Sequence, residues 1–337
     1  MLGEVTFRFL IVWVWIASGF SLWAFGLPTG NRAIFEPGAE ERFFAATPGK
    51  TWMSGAFGCV RSDGQQMHEG IDIRSVKRDG RGEPADAVMA SVDGVVAYVN
   101  RKPGLSNYGN YVVIKHLIEG LEIYTLYAHL AEIREGLTAG TMVKEGETIG
   151  IIGRTTNTRT RIGKDRAHVH FEINLFVNER FETWYTKTFP GQRNDHGIWN
   201  GQNLYGLDPR LILEEEHANG PKFSLLRFIS ARTELCRVLV RQKNFPWARR
   251  YQQLVVANPV AQKEGIAGYE VSLDYNAVPF RLVPRAASEL KPGPRFQLIS
   301  VNEAEQSKNP CRHMVVRRGG EWQLGDHGLR ALELLAW

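Results

Sequence analysis

Cysteine is scarce in this chain. Its 337 residues hold only Cys59, Cys236 and Cys311, scattered far apart, which excludes a cysteine-ligated zinc knuckle. Internal repeats and low-complexity tracts are missing, which excludes a repeat array. Helical periodicity is missing from residues 53–177, so that stretch is not a helical bundle. Strong charge of either sign is also lacking: 41 basic against 36 acidic residues leave a net charge of +5. That mild basicity suits an anionic surface but gives no case for nucleic-acid binding. The hydrophobic content of 43% suffices for ordinary cores, and the length allows two domains behind an N-terminal segment.

The one long apolar run comes first. Arg8 precedes Phe9 to Leu27, broken only by small residues, with Ala17-Ser18-Gly19 suited to cleavage. Residues 1–27 therefore read as a secretory signal peptide, or as an uncleaved N-terminal membrane anchor through residues 9–27. Either reading exports the rest of the chain, to the periplasm, the cell envelope or the medium. Residues 28–52, with Pro28, Gly30, Pro37, Gly38 and Pro48, read as a linker and lead-in. In an exported protein Cys236 could pair with Cys311, leaving Cys59 free.

The chemistry lies in two pairs and a single residue: His68 and Asp72 in His68-Glu69-Gly70-Ile71-Asp72, His168 and His170 in His168-Val169-His170, and His129 in Tyr127-Ala128-His129-Leu130. Zinc prefers imidazole and carboxylate in a tetrahedral shell, and a catalytic site leaves one position open. Strand residues two apart share a face, so His168 and His170 project together. Gly70 and the β-branched Ile71 and Ile73 make the first pair a loop entering a strand rather than a helix. Three of the five residues would bind one Zn2+ ion, and two histidines would remain for proton transfer. His116, in Ile114-Lys115-His116, reads as an exposed strand-end residue. His196, His217, His313 and His327 lack partners at ligand spacing and are likewise not expected to bind metal.

With these motifs in order, residues 53–213 resemble the catalytic domain of the lysostaphin/LytM-type zinc metallopeptidases, the peptidoglycan endopeptidases. Ser54-Gly55-Ala56-Phe57-Gly58 resembles the opening motif of that family, and the His68–Asp72 and His168–His170 segments resemble its metal motifs. Val92–Val96 and Asn107–Ile114 are similar to its scaffold strands, Val143–Gly150 to its turn and Leu207-Asp208-Pro209 to its closing segment. The resemblance implies His68, Asp72 and His170 as zinc ligands and His129 and His168 as catalytic histidines. It also implies peptidoglycan as the partner and metal-assisted amide hydrolysis as the reaction.

Three stretches depart from the family pattern. Residues 154–166 form a longer, cation-rich loop with Ala167 in place of a proline. They read either as a basic rim for carboxylates or as a solvated loop. Residues 178–206 form an aromatic insert, with Phe181, Trp184, Tyr185, Phe189, Trp199 and Tyr205. It is expected to wall the substrate groove rather than cap the sheet. Residues 76–86 read as an exposed hairpin extension.

Strand-like runs at 93–99, 111–117, 121–128, 148–153 and 168–177 predict an all-β catalytic domain of antiparallel sheets over 53–217, LytM-like in fold. Asp93-Gly94-Val95-Val96 with Lys144-Glu145-Gly146-Glu147 also suggests a biotin- or lipoyl-carrier barrel, but no lysine sits at the required hairpin tip. Residues 218–337 carry no assignable motif. They read as a small α+β accessory domain, with a helix within 225–240, strands at 252–257, 268–274, 278–284 and 296–301, a hairpin around Gly319-Gly320 and a short closing helix. The expected function is that of an exported zinc metalloendopeptidase acting on peptidoglycan. The alternatives are a non-catalytic wall-binding or amidase-activating protein and a general extracellular endopeptidase.

Overall fold

The computed structural model describes residues 25–337. The expected signal peptide or anchor lies almost wholly outside the described residues. Among those described, no helix is long and apolar enough to cross a membrane.

The N-terminal half is built on a seven-stranded antiparallel sheet. Its strands are β1 (Ile71–Arg74), β2 (Gly94–Asn100), β3 (Tyr111–Ile118), β4 (Leu121–Ala128), β5 (Met142–Val143), β6 (His168–Phe176) and β7 (Leu204–Leu207). They run in the order β7-β6-β4-β3-β2-β5. Strands β3 and β4 are joined by Glu119-Gly120, both at positive φ (50° and 78°), as a two-residue hairpin turn requires. Strand β6 is central. One edge pairs with β4, while the other takes β1 against His168–Phe171 and β7 against Ile173–Phe176. All nine of its residues are buried. Val169, Phe171, Ile173 and Leu175 alternate with His168, His170, Glu172 and Asn174, so one face feeds the core and the other carries polar groups inside the protein.

Residues 28–52 are not a loose linker. Phe43 and Phe44 are fully buried, Phe44 bridges to Ile73, and the Ala45 N–H donates to the Asp72 carbonyl at 2.8 Å. The expected hairpin extension at 76–86 closes on an Arg78–Pro84 bridge. His116 is corrected from exposed to buried. At 2% exposure it donates from Nδ1 to the Asp93 carbonyl and meets the Thr125 hydroxyl at Nε2. The aromatic insert takes two roles. Trp199 lies on the sheet, within 5.6 Å of the Tyr124 and Phe176 rings, and so caps it. Helix α1 (Phe181–Thr188) buries Phe181 and Trp184 in the main core.

The C-terminal region follows helix α2 (Pro209–Asn219). Its four-stranded antiparallel sheet comprises β8 (Cys236–Val240), β9 (Gly268–Leu273), β10 (Pro279–Arg285) and β11 (Phe296–Val301), in the order β10-β9-β8-β11. A hairpin of β12 (Val315–Arg318) and β13 (Glu321–Leu324) and helix α3 (Asp326–Leu335) complete it. The expected helix within 225–240 covers only Leu225–Ser230, because Cys236–Val240 alternates buried and half-buried positions as a strand does. The expected strand at 252–257 begins instead with a 3-10 turn at Gln252–Leu254.

The expected pairing of Cys236 with Cys311 is wrong. Cys59 and Cys311 form the disulfide, with Cα atoms 5.5 Å apart, and Cys236 is a buried free thiol. Cys236 is fully buried at the start of β8, whereas Cys311 lies on the loop facing the site-bearing half. Further ties join the two halves. The Phe176 N–H donates to the Tyr251 hydroxyl at 2.8 Å, and Asn276 Nδ2 donates to the Gly206 carbonyl at 2.8 Å. Arg250 bridges Glu122 and Glu179. One apolar core runs from Phe25 to Ala336.

Candidate metal centre

Four histidines and one carboxylate converge where β1, β4 and β6 meet. In the β1–β6 ladder Asp72 lies directly opposite His170, and Ala128 opposes His170 from the other side. Register alone therefore brings Asp72, His129, His168 and His170 to one spot. His68 arrives from the short hairpin Gly58–Arg61/Gln66–His68. Gly70 lets the chain pass close over β6: a Cβ there would fall 2.4 Å from the Phe171 carbonyl oxygen and 2.8 Å from Glu172 Cγ.

Each imidazole is tethered through one ring nitrogen. His68 Nδ1 lies 2.7 Å from the Ala56 carbonyl, His129 Nδ1 2.8 Å from that of Thr155, and His168 Nδ1 2.6 Å from that of Arg166. A carbonyl oxygen only accepts, so each of these nitrogens donates its N–H and the opposite Nε2 keeps its lone pair. His170 is tethered through Nε2 to Glu172 Oε1 at 2.8 Å. Glu172 is in turn fixed by the Tyr108 hydroxyl and Asn174 Nδ2, both at 2.8 Å. His170 Nδ1 thus faces Asp72 Oδ1 at 3.0 Å and His68 Nε2 at 3.1 Å, and His68 Nε2 faces the same Asp72 oxygen at 3.1 Å. The donor atoms of His68, Asp72 and His170 lie within 4.8 Å of one another, and all three residues are buried.

The donor set fits a zinc-type cation. A carboxylate behind a ligating imidazole is the usual support for such a ligand. Burial works against a charge on His170, but hydrogen bonds and charges from Asp72 and Glu172 outweigh it and hold its pKa at about 10. A cation held by His68, Asp72 and His170 would take the place of that proton. Burial also opposes charge on Asp72, yet the surrounding histidines hold its carboxyl well below the usual range.

His129 and His168 stand beside this triad, their rings 4.9 Å apart and edge to face. His168 Nε2 is 3.6 Å from Asp72 Oδ1. Burial, reinforced by neighbouring histidines, pushes His129 down to about 3 and burial lowers His168, so both rings are neutral at neutral pH. His129 holds a left-handed backbone, with φ 62°. That conformation is costly for a non-glycine residue and typical of residues held for a task.

A groove of about 980 Å3 opens over the centre. Thr156, Thr158 and Arg166 line it from the cation-rich loop, and residues 47–51 line it from the lead-in. Of that loop's five cations only Arg166 lines the groove, and Arg154 and Lys164 pair with Glu83. Sequence reasoning gave no role to Arg61, Tyr108 or Glu172. Arg61 reaches both Asp72 and His68 Nε2. Glu172 was legible as the next residue on the face of His168 and His170, whereas Arg61 and Tyr108 become neighbours of the site only through folding.

Residues 66–181 match the model of peptidase family M23. No curated protein matches the chain. Among solved structures, the catalytic domain of lysostaphin from Staphylococcus simulans is 18% identical, covering 48% of this chain and 87% of that one with a TM-score of 0.29. The catalytic domain of a prophage-encoded M23 protein from Enterococcus faecalis is 20% identical, covering 40% of this chain and 77% of that one with a TM-score of 0.26. A zinc-containing peptidase from Vibrio cholerae is 24% identical, covering 40% of this chain and 37% of that one, also with a TM-score of 0.26.

Proposed function

We propose that this chain, whose residues 66–181 match peptidase family M23, is an exported zinc-dependent metalloendopeptidase that hydrolyses peptide bonds in peptidoglycan stem peptides or cross-bridges. The observation that carries the reading is the tethering of four imidazoles around Asp72, each through one ring nitrogen. A structural cluster has no need of so many fixed and buried lone pairs.

His68 Nε2, Asp72 Oδ1 and His170 Nδ1 would hold one zinc ion. Bound there, it supplies Lewis-acid activation of a water and of the scissile carbonyl. The protein's own groups do the rest. Glu172, braced by Tyr108 and Asn174, fixes the His170 ring and its tautomer. His129 and His168 present neutral Nε2 atoms that take a proton from the attacking water and return it to the departing amine. Burial keeps them uncharged before reaction, and negative charge developing beside them raises their basicity. Once protonated, they stabilise the oxyanion.

The test is mass spectrometry of muropeptides released from purified sacculi by the zinc-loaded full chain, beside His170→Ala and His168→Ala. The expected result is new fragments from the unchanged chain only. His170→Ala should lose zinc, and His168→Ala should keep zinc while turnover falls by a factor of about a hundred or more, the contribution of a general base. Equal zinc content and equal activity in the two variants would overturn the role assignment. Intact muropeptides from the zinc-bound unchanged chain would overturn the peptidoglycan reading.

A further inference from the structure

The metal groove does not end at the metal. A second cavity, of about 520 Å3, adjoins it. Glu69, Asn107 and Tyr108 line both, so the two share a wall. Glu69 is the neighbour of His68 in the chain, and the Tyr108 ring lies 5.7 Å from that of His170. The far side of the second cavity is built from two stretches outside the M23 match. Phe189 and Tyr205 come from the insert or its end, and Arg312, His327 and Arg330 come from the C-terminal region.

The charge of this cavity is lopsided. Glu69 is the single acidic residue lining it, and its carboxylate faces Arg312 Nη2 at 3.4 Å. Arg312 is aimed by its Nε donating to Asn276 Oδ1 at 2.8 Å, and the neighbouring Cys311 is held by the disulfide to Cys59. Arg330 lies over the Phe189 ring at 5.9 Å and forms no ion pair within 4.0 Å among the described residues. Trp184 also lines the cavity. The residue is only 3% exposed, and its Nε1–H has no hydrogen-bond acceptor among the described residues. That nitrogen is covered by protein, so the guanidinium donors offered to the cavity are those of Arg312 and Arg330. Arg guanidinium groups recognise carboxylates through paired N–H donors.

We propose that this cavity is a substrate subsite in which Arg330, with Arg312, binds a carboxylate of an acidic peptide while its scissile bond lies over the metal centre. The subsite role rests on the function proposed above; the carboxylate site itself does not. The C-terminal region then forms part of the substrate groove instead of serving only as a structural appendage. The specificity it confers is for free carboxylates over carboxamides at that end of the peptide.

The test uses the zinc-loaded full chain and a pair of probes: an acidic tripeptide with a free C-terminal carboxylate and the same peptide as its carboxamide. Binding is measured by calorimetry, with the peptides checked intact afterwards. Arg330→Gln should bind the carboxylate probe about tenfold more weakly and the carboxamide unchanged, as loss of one charge-assisted contact predicts. Arg330→Lys should recover part of that loss. On sacculi, Arg330→Gln should raise KM and leave kcat and zinc content unchanged. Equal affinity of the unchanged chain for the two probes, or an Arg330→Gln chain that still discriminates between them, overturns the carboxylate site. Arg330-dependent binding together with intact sacculi upholds the site and overturns its role in wall hydrolysis.

Discussion

His116 is a histidine that the fold holds neutral. Its Nδ1–H donates to the Asp93 carbonyl at 2.9 Å and its Nε2 meets the Thr125 hydroxyl at 2.7 Å. The backbone closes over it at Gly94, where a Cβ would fall 2.5 Å from Nδ1. Burial pushes its pKa down to about 4 from an ordinary 6.5. The unfolded chain therefore takes up this proton near pH 6.5 and the folded chain only near pH 4. Between those values the unfolded state binds more protons, so stability falls as pH falls through the window. The expected loss is on the order of 3 kcal/mol, at about 1.4 kcal/mol for each pH unit between the two values. Denaturant titrations at pH 7, 5.5 and 4.5 should show His116→Gln with a flatter decline than the unchanged chain. Parallel declines would mean that His116 already titrates normally in the folded state.

Elements set the site more than single residues do. Strand β6 presents His168, His170 and Glu172 on one face, and its pairing with β1 puts Asp72 opposite His170. A one-residue slip would send all of them into the apolar core. The insert packs on this sheet through Trp199, which meets Tyr124 and Phe176 without lining either cavity at the site. Trp199→Ala should therefore cost about 3 kcal/mol of stability, the low end for loss of a large aromatic because the residue is only half-buried. Turnover on sacculi at a temperature where the variant is folded should stay within about twofold. A large drop in turnover with unchanged melting would instead make the insert a groove wall at Trp199.

For the whole molecule, the Cys59–Cys311 disulfide closes a loop of sequence separation 252 across the two halves. Chain-entropy arguments put its stabilisation at roughly 5 kcal/mol as an upper bound, with about 2–4 kcal/mol typical. The paired variant Cys59→Ser with Cys311→Ser should unfold at correspondingly lower denaturant concentration, and reduction of the unchanged chain should match it. Because Cys59 lines the metal groove and Arg312 adjoins Cys311, both treatments should also weaken the carboxylate probe. Thiol titration of the native chain should find no reactive cysteine, since Cys236 is buried and burial pushes its thiol up to about 12. Rapid labelling of Cys236 would mean that β8 opens locally.

Local pattern sufficed for the longer strands of the N-terminal half and for the residue types that meet at the centre, but not for the short strands Met142–Val143 and Leu204–Leu207. Alternation of β-branched and polar residues has a period of two, which is a local property. The spacing of His168, His170 and Glu172 places them on one face without reference to anything distant. What lies far apart in the chain was decided by tertiary structure alone. His116 looked exposed because strand ends usually are, but the close approach of Gly94 buries it. Cys59 pairs with Cys311, and Cys236 with neither, because a disulfide depends on the distance between Cα atoms and not on sequence separation. In the cation-rich loop Arg154 and Lys164 are engaged by Glu83, a partner that no local pattern announces. Arg312 and Arg330 reach the groove only because one continuous core packs the C-terminal sheet, hairpin and helix against the site-bearing half.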